Sequence, residues 1–284
     1  VTSWTTAREL KAQLARLWER GELLRPLVTE QTRFPLRLAL KAPASDALID
    51  RFELVRAWAA ELAALPHVRI EWREVRHRVQ GAQRLPAQVW LDTPEAALAW
   101  LGKTRDAERF AAMVAATKTS LPALLPWLAR RPVLAIELAA DWGRLLAVVR
   151  WMLAHPRPGI YLRQVDVPGV HSKFIEQHRG VLAELLDLAL PADLLVAQTG
   201  GSQFAARYGF RDKPVRIRFR LLDASMALVP GAPSADITLD AGSFAVMRAP
   251  ARRVFITENE TNFLAFPAAQ ESIVVFGAGY GWDA

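Results

Sequence analysis

The sequence predicts an α+β protein, and three observations carry that expectation. Helical apolar spacing fills residues 46–65 and most of 96–154, alternation recurs at 34–40, 67–79 and 215–222, and two apolar strands near the C-terminus flank a short helix. The start thus mixes helices and strands, the middle is mostly helical, and the end reads as the opening of a βαβ unit.

Taken in order, Thr5 or Thr6 is placed to cap a helix whose Leu10, Leu14, Leu17 and Trp18 share one face, and Gly21 is placed to end it. Phe34-Pro-Leu-Arg-Leu-Ala-Leu alternates as a strand does, residues 46–65 follow helical spacing, and 67–79 alternate Val68, Ile70, Trp72 and Val75 with charge before slipping register. Thr93-Pro-Glu reads as a cap followed by proline at the first helical position, opening a helix through 96–101. Further helices are expected at 105–116, 121–128 and 136–154. His155-Pro-Arg-Pro-Gly is the clearest breaker cluster and marks an expected boundary. A short strand around Tyr161 follows, then a Pro168-Gly169 turn and a helix over 172–188 that buries Phe174, Leu182, Leu185 and Leu186. Gly200-Gly201 opens a brief helix to Tyr208, a strand covers 215–222, and Pro230 to Pro233 form a loop. Strands at 253–257 and 272–276 enclose a short helix through Phe263, the opening of a βαβ unit.

At roughly 150 residues per domain, 284 residues suggest two domains. With 52% hydrophobic and 23% charged residues, the composition argues against a disordered or fibrous chain. Glu137, Asp141, Arg144 and Arg150 interrupt the apolar stretch 134–153, so no membrane span and no membrane partner are expected. The absence of cysteine removes disulfides, thiolate zinc sites and cysteine nucleophiles, and fits a reducing, cytoplasmic setting. Residues 1–14 carry Glu9 and no basic start or apolar centre, unlike a secretory signal. Lysine and arginine exceed aspartate and glutamate by 36 to 29, a net +7 that suits polyanionic partners.

The densest charge is Arg207, Arg211, Lys213, Arg216, Arg218 and Arg220, offset only by Asp212. Strand alternation places the last three on one face while Val215, Ile217 and Phe219 enter the core. A helix followed by such a strand resembles a winged helix, and the face suits a phosphate backbone. The other reading is a solvated face neutralised by carboxylates.

His171, Glu176 and His178 lack the convergent spacing of a metal-binding helix and read as capping and surface residues. Ser202 lacks the G-x-S-x-G turn of a hydrolase nucleophile. Gly277-Ala-Gly-Tyr-Gly281 follows a strand as a dinucleotide loop does, but no helix is read after it. Ten scattered tryptophans read as core. Val254-Phe-Ile-Thr-Glu258-Asn-Glu260-Thr-Asn262-Phe delivers a carboxylate at the end of an apolar strand. That suits a magnesium ligand and, equally, an acidic helix start.

Four stretches carry a resemblance that runs nearly end to end. They are Leu17-Trp-Glu-Arg-Gly with Phe34-Pro-Leu-Arg-Leu; Tyr161-Leu-Arg-Gln-Val-Asp-Val-Pro-Gly-Val-His-Ser-Lys-Phe-Ile-Glu; Arg207-Tyr-Gly-Phe-Arg-Asp-Lys-Pro; and Phe255-Ile-Thr-Glu-Asn-Glu-Thr-Asn-Phe-Leu-Ala-Phe-Pro. In them the chain resembles the JetD family of bacterial Wadjet plasmid-defence systems, relatives of the DNA-cleaving subunit of topoisomerase VI. The resemblance implies an arm-like α+β domain over 1–156, a winged-helix region like that of catabolite activators over 157–232, and the start of a Toprim domain over 233–284. It also implies a homodimer that cuts circular double-stranded DNA with Mg²⁺ or Mn²⁺, beside a condensin-like SMC complex.

Carried over residue by residue, Glu258 matches the Toprim glutamate after the first strand, a catalytic metal ligand, and 259–262 match the segment behind it. The family's Asp-x-Asp pair has no counterpart, since Asp283 is too early and isolated. The expectation is therefore a C-terminally truncated member with a partial metal site, binding no metal and cleaving no DNA by itself. Lys173, Arg207, Arg211, Lys213, Arg216, Arg218 and Arg220 are the expected DNA contacts. Tyr208, followed by Gly209-Phe210, lacks the Arg-Asp/Glu-x-Tyr-Tyr setting of the topoisomerase relatives, which favours metal-dependent hydrolysis over tyrosine transesterification. The alternative is a non-catalytic DNA-binding adaptor of the same defence complex.

Overall fold

A computed structural model describes residues 4–44, 47–77, 81–196, 203–228, 235–248 and 251–277. They belong to two compact units, Val1–Arg211 and Asp212–Ala284. Gly200, Gly201, Ser202, the Pro230 to Pro233 loop, Gly279, Gly281 and Asp283 lie outside the described residues.

The N-terminal unit opens with α1 (Ala7–Glu19), held by a capping box. Thr6 Oγ1 accepts from the Glu9 N–H at 3.2 Å, and the Glu9 carboxylate accepts from the Thr6 N–H at 2.7 Å. Leu10, Leu14 and Trp18 are buried. Gly21 follows at φ 71°, and a Cβ there would stand 2.2 Å from Pro132 Cγ, so both conformation and space require glycine. Next come α2 (Pro26–Thr29), β1 (Leu36–Leu38), α3 (Ala47–Asp50), α4 (Phe52–Ala63), β2 (Arg69–His77) and β3 (Gly81–Leu91). The three strands form an antiparallel sheet in the order β1-β3-β2. The sequence reading missed β3 because Pro86 interrupts the pattern of Leu85, Val89 and Leu91. The register shifts there, Glu71 facing Gln88 but Trp72 facing Pro86, a bulge that accommodates a residue without an N–H.

Thr93 caps α5 (Pro94–Leu101) as expected, accepting from the Ala96 N–H at 3.2 Å. Then follow α6 (Thr104–Ser120), α7 (Leu125–Arg130), α8 (Pro132–Glu137) and α9 (Trp142–Ala154). The single helix expected over 136–154 is broken at 138–141. The turn buries Trp142, which stacks on Trp127 with ring centroids 5.5 Å apart and donates Nε1–H to Thr117 Oγ1 at 2.9 Å. The strand expected at Tyr161 is a 3₁₀ turn over Leu162–Gln164. The helix expected over 172–188 is two, α10 (Ser172–Gln177) and α11 (Arg179–Ala189), and Phe174, Leu182, Leu185 and Leu186 are buried as its face requires. The unit ends with α12 (Phe204–Tyr208).

One hydrophobic cluster runs from Leu10 to Phe210, so the breaker at 155–159 is a strap across a continuous core and divides no units. Gly159 N–H donates to the Gly209 carbonyl at 2.9 Å and Arg211 N–H to that of Ile160 at 2.8 Å. At Gly209, φ 76°, a Cβ would stand 2.6 Å from Arg157 Cα. The division at Arg211/Asp212 thus coincides with neither 156/157 nor 232/233.

The C-terminal unit comprises β4 (Arg216–Leu221), β5 (Asp236–Asp240), α13 (Ala241–Val246), β6 (Arg253–Thr257), α14 (Glu260–Leu264) and β7 (Ser272–Phe276). Strand order is β5-β4-β7-β6. β4 is antiparallel to both neighbours, whereas β6 and β7 run parallel with Arg253 facing Ser272. The β6-α14-β7 succession is the expected βαβ unit, while β5 and α13 were not anticipated. Alternation sorts the sheet into two faces. Ile217, Phe219, Leu221, Ile273 and Val275 pack with Phe244 of α13, and Val274, Phe255 and Phe276 pack with Phe263 of α14. The basic strand is therefore a central strand of this sheet, and the apolar faces of α10–α12 lie in the core of the N-terminal unit. Among the described residues, no helix is long and apolar enough to cross a membrane.

Candidate metal and nucleic-acid site

The arginines of β4 share one face, but that face carries α14. Arg218 binds Asp236 of β5 through Nε at 2.9 Å and Nη2 at 2.5 Å, reaches Glu260 Oε1 with Nη1 at 2.5 Å, and lies 5.1 Å from the Phe263 ring centroid. Asp236, then Glu260, holds the guanidinium above its ordinary range. Arg220 Nη1 donates to the carbonyls of Phe263 at 2.9 Å and Leu264 at 2.5 Å, closing the C-terminus of α14. Two of these three arginines are thus engaged within the unit, and Arg216 is exposed. Of the face that alternation aligns, Arg218 thus meets carboxylates and Arg220 helix carbonyls. Asp236 is the residue the sequence reading missed. Its signal was the alternation of Asp236-Ile-Thr-Leu-Asp240, which spaces acids for the outer face of a strand.

Arg207, in the N-terminal unit, is held similarly. Its Nε and Nη2 meet the two oxygens of Asp187 at 3.0 Å each, and Nη1 donates to the Val196 carbonyl at 3.2 Å. Asp187 also accepts from the Tyr208 hydroxyl at 2.7 Å. Tyr208 is 1% exposed, and burial first, then the Asp187 carboxylate, pushes its hydroxyl well above the usual phenol range. This tyrosine is a structural group. Arg211, Lys213, Arg216 and Lys173 are exposed and make no ion pair among the described residues. Arg211 and Lys173 belong to the first unit, Lys213 and Arg216 to the second.

Glu258 stands immediately after β6, exposed, between that strand and the start of α14. The turn that carries it is fixed on both sides. Gly277 N–H donates to the Thr257 carbonyl at 2.8 Å, Thr257 Oγ1 donates to the Asn259 carbonyl at 3.0 Å, and the Asn259 side chain caps α14 through the Asn262 N–H at 3.0 Å. The helix-start reading of this segment falls on Asn259, which is the cap, and Glu258 takes no part in it. Glu260 is committed to Arg218. Among the described residues no group of three or more His, Cys, Asp or Glu side chains converges as a metal site requires. One carboxylate does not complete the near-octahedral oxygen shell of Mg²⁺. The described residues alone do not fit a whole metal centre.

The histidines have local roles. His171 Nδ1 caps α10 by accepting from the Phe174 N–H at 3.2 Å, and His178 Nε2 lies 3.2 Å from Asp141 Oδ2 at the start of α9.

Two families match the chain in succession. The one described as "Uncharacterized protein conserved in bacteria N-term (DUF3322)" covers residues 7–187, and the one described as "Wadjet protein JetD, C-terminal" covers 209–284. No curated protein matches the chain. The first match ends within α11 and the second begins at Gly209, just before the division at Arg211/Asp212. With both regions present in this order, the chain belongs to the JetD family of Wadjet defence proteins.

Proposed function

We propose that the chain is the DNA-handling part of a divalent-metal-dependent DNA endonuclease of a Wadjet system, and that Glu258 supplies one carboxylate of its metal site. The observation that carries this reading is the position of Glu258 at the C-terminal end of a strand parallel to its neighbour, beside a helix start. Ligands gather at that edge in open α/β sheets. Its carboxylate is exposed, and its turn is held by Thr257, Asn259 and Gly277, so the group is placed without being consumed. Arg211, Lys213, Arg216 and Lys173 are the bases this reading assigns to DNA phosphates, contacts that position a duplex without reading its sequence. A homodimer and a condensin-like SMC partner in the cytoplasm complete the proposal.

The test is cleavage of circular plasmid DNA by the protein at its encoded length, with Mg²⁺ or Mn²⁺. Loss of groups that merely orient a metal ligand costs about 10–100-fold, so Glu258→Ala should cost on the order of 100-fold or more. Undiminished cleavage by Glu258→Ala would remove Glu258 from the site. A non-catalytic DNA-binding adaptor is the competing reading, favoured by the commitment of Glu260 and Asp236 to Arg218. DNA binding without cleavage under any metal would establish it.

A further inference from the structure

A cleft of about 410 Å³ lies between α2, α5 and α6, on the N-terminal unit and separate from every residue assigned above. Its floor is apolar, with Leu23, Leu98 and Ala107 each under 10% exposed, while Leu27 on its wall is 42% exposed and meets solvent. Helical spacing builds it. Thr104, Ala107, Glu108 and Ala111 fall on one face of α6, and Pro94, Glu95 and Leu98 on one face of α5. The small side chains at 107 and 111 leave the space open. The volume lies in the ~300–1,000 Å³ range of clefts that receive ligands.

The rim is acidic on a chain whose net charge is +7. Glu30, Glu95 and Glu108 line it. Lys118 pairs with Glu30 at 3.2 Å, whereas Glu95 and Glu108 make no ion pair among the described residues. Carboxylates beside an apolar floor repel a phosphate backbone and attract cations, so this surface is electrostatically wrong for nucleic acid. The floor residues Leu23, Leu98 and Ala107 carry no polar side-chain group to orient a small polar molecule. An aliphatic side chain flanked by lysine or arginine satisfies both features at once, filling the floor and neutralising the rim.

We propose that this cleft is a docking groove for a segment of a partner polypeptide that presents an aliphatic anchor flanked by basic residues. The groove gives the chain a protein-binding surface distinct from its DNA-handling one, and the inference stands apart from the nuclease reading.

The test uses the full chain and a fluorescein-labelled twelve-residue amphipathic peptide of leucine and lysine. Its counterpart with glutamate for lysine and an unlabelled DNA duplex serve as competitors. The basic peptide should bind saturably, and neither competitor should displace it. Ala111→Trp, which fills the cleft, and the double charge reversal Glu95→Lys with Glu108→Lys should each weaken it by about tenfold or more. The charge-reversed loss should shrink at high salt, while the Ala111→Trp loss should persist. Thermal unfolding of each variant checks the fold, and if one variant is destabilised the other decides. The proposal is overturned by absence of saturable binding to the wild-type chain, by affinities within about twofold for a folded variant, or by equal displacement with the acidic peptide or the duplex.

Discussion

Asp187 receives a guanidinium and a phenol at once, which makes Tyr208 a sensitive probe of the N-terminal core. Tyr208→Phe removes the buried hydroxyl proton that Asp187 Oδ1 and the Ala183 carbonyl, 2.7 and 3.0 Å away, share, and leaves Asp187 Oδ1 with Arg207 Nε alone. A loss of about 1–2 kcal/mol in urea unfolding is expected. Because the folded-state pKa of Tyr208 is raised, the neutral phenol is favoured by folding. That contribution is present below the unfolded value near 10 and is lost as pH rises through the folded one. Absorbance titration of the folded chain should therefore miss this tyrosine near pH 10 and recover it on unfolding. Ionisation of all three tyrosines of the folded chain at their ordinary range would contradict the buried pairing. Asp223 tests the opposite sign in the C-terminal unit. It accepts from the Glu271 N–H at 2.8 Å and the Ser225 N–H at 2.9 Å, which together with the Ser225 hydroxyl lower its pKa. Its contribution is present above about pH 4 and lost as pH falls through the depressed value. Asp223→Asn should flatten the acid limb of a stability–pH curve, and an unchanged limb would argue against the bond to Glu271.

At the scale of elements, the meeting of β4 with α14 decides what the arginine strand does. Arg218→Gln should lower the unfolding temperature of the C-terminal unit, because it frees Asp236, Glu260 and the Phe263 face together. Arg216→Gln should leave it unchanged. Equal effects of the two on stability, or a loss of DNA affinity confined to Arg218→Gln with stability intact, would restore the phosphate-contact reading. Phe263, fully buried under that clamp, sets the upper bound, and Phe263→Ala should cost about 3–5 kcal/mol. What was readable in the sequence follows from the range of the forces involved. α1, α5, β6 and β7 were legible because a cap, a glycine or an unbroken apolar run is written within a few residues of each. The common face of Arg216, Arg218 and Arg220 was legible from alternation alone. That this face lies under a helix was not, since it depends on β4 pairing with β7, some 50 residues later in the chain. Similarly β3 was hidden by Pro86, whose place at a bulge is visible only once β2 lies alongside. Glu258 was singled out by the strand that ends at it, but its separation from the helix cap required knowing that Asn259 takes that task.

For the whole molecule, the continuous core from Leu10 to Phe210 makes residues 1–211 one cooperative body, and the chain between Phe210 and β4 its natural point of attack. Residues 212–215 are exposed and lack regular structure. Arg157 is held by its bond to the Leu194 carbonyl and by the close approach of Gly209. Trypsin should therefore cut after Arg211 before it cuts after Arg157, an order that mass spectrometry of early digests can read. Earlier release at Arg157 would mean that the 155–159 strap is not docked.

The strand order β5-β4-β7-β6 also bears on how the chain is made. β4 can pair with β5 soon after Asp240 leaves the ribosome, but its other edge waits for β7. At about 5–20 residues per second, the nascent chain passes on the order of several seconds with that edge unpaired and Arg218 and Arg220 facing no helix. In that interval the charged face keeps the half-built sheet soluble, and the alternation of arginine with Ile217 and Phe219 guards against the edge-to-edge association that an all-apolar strand would invite.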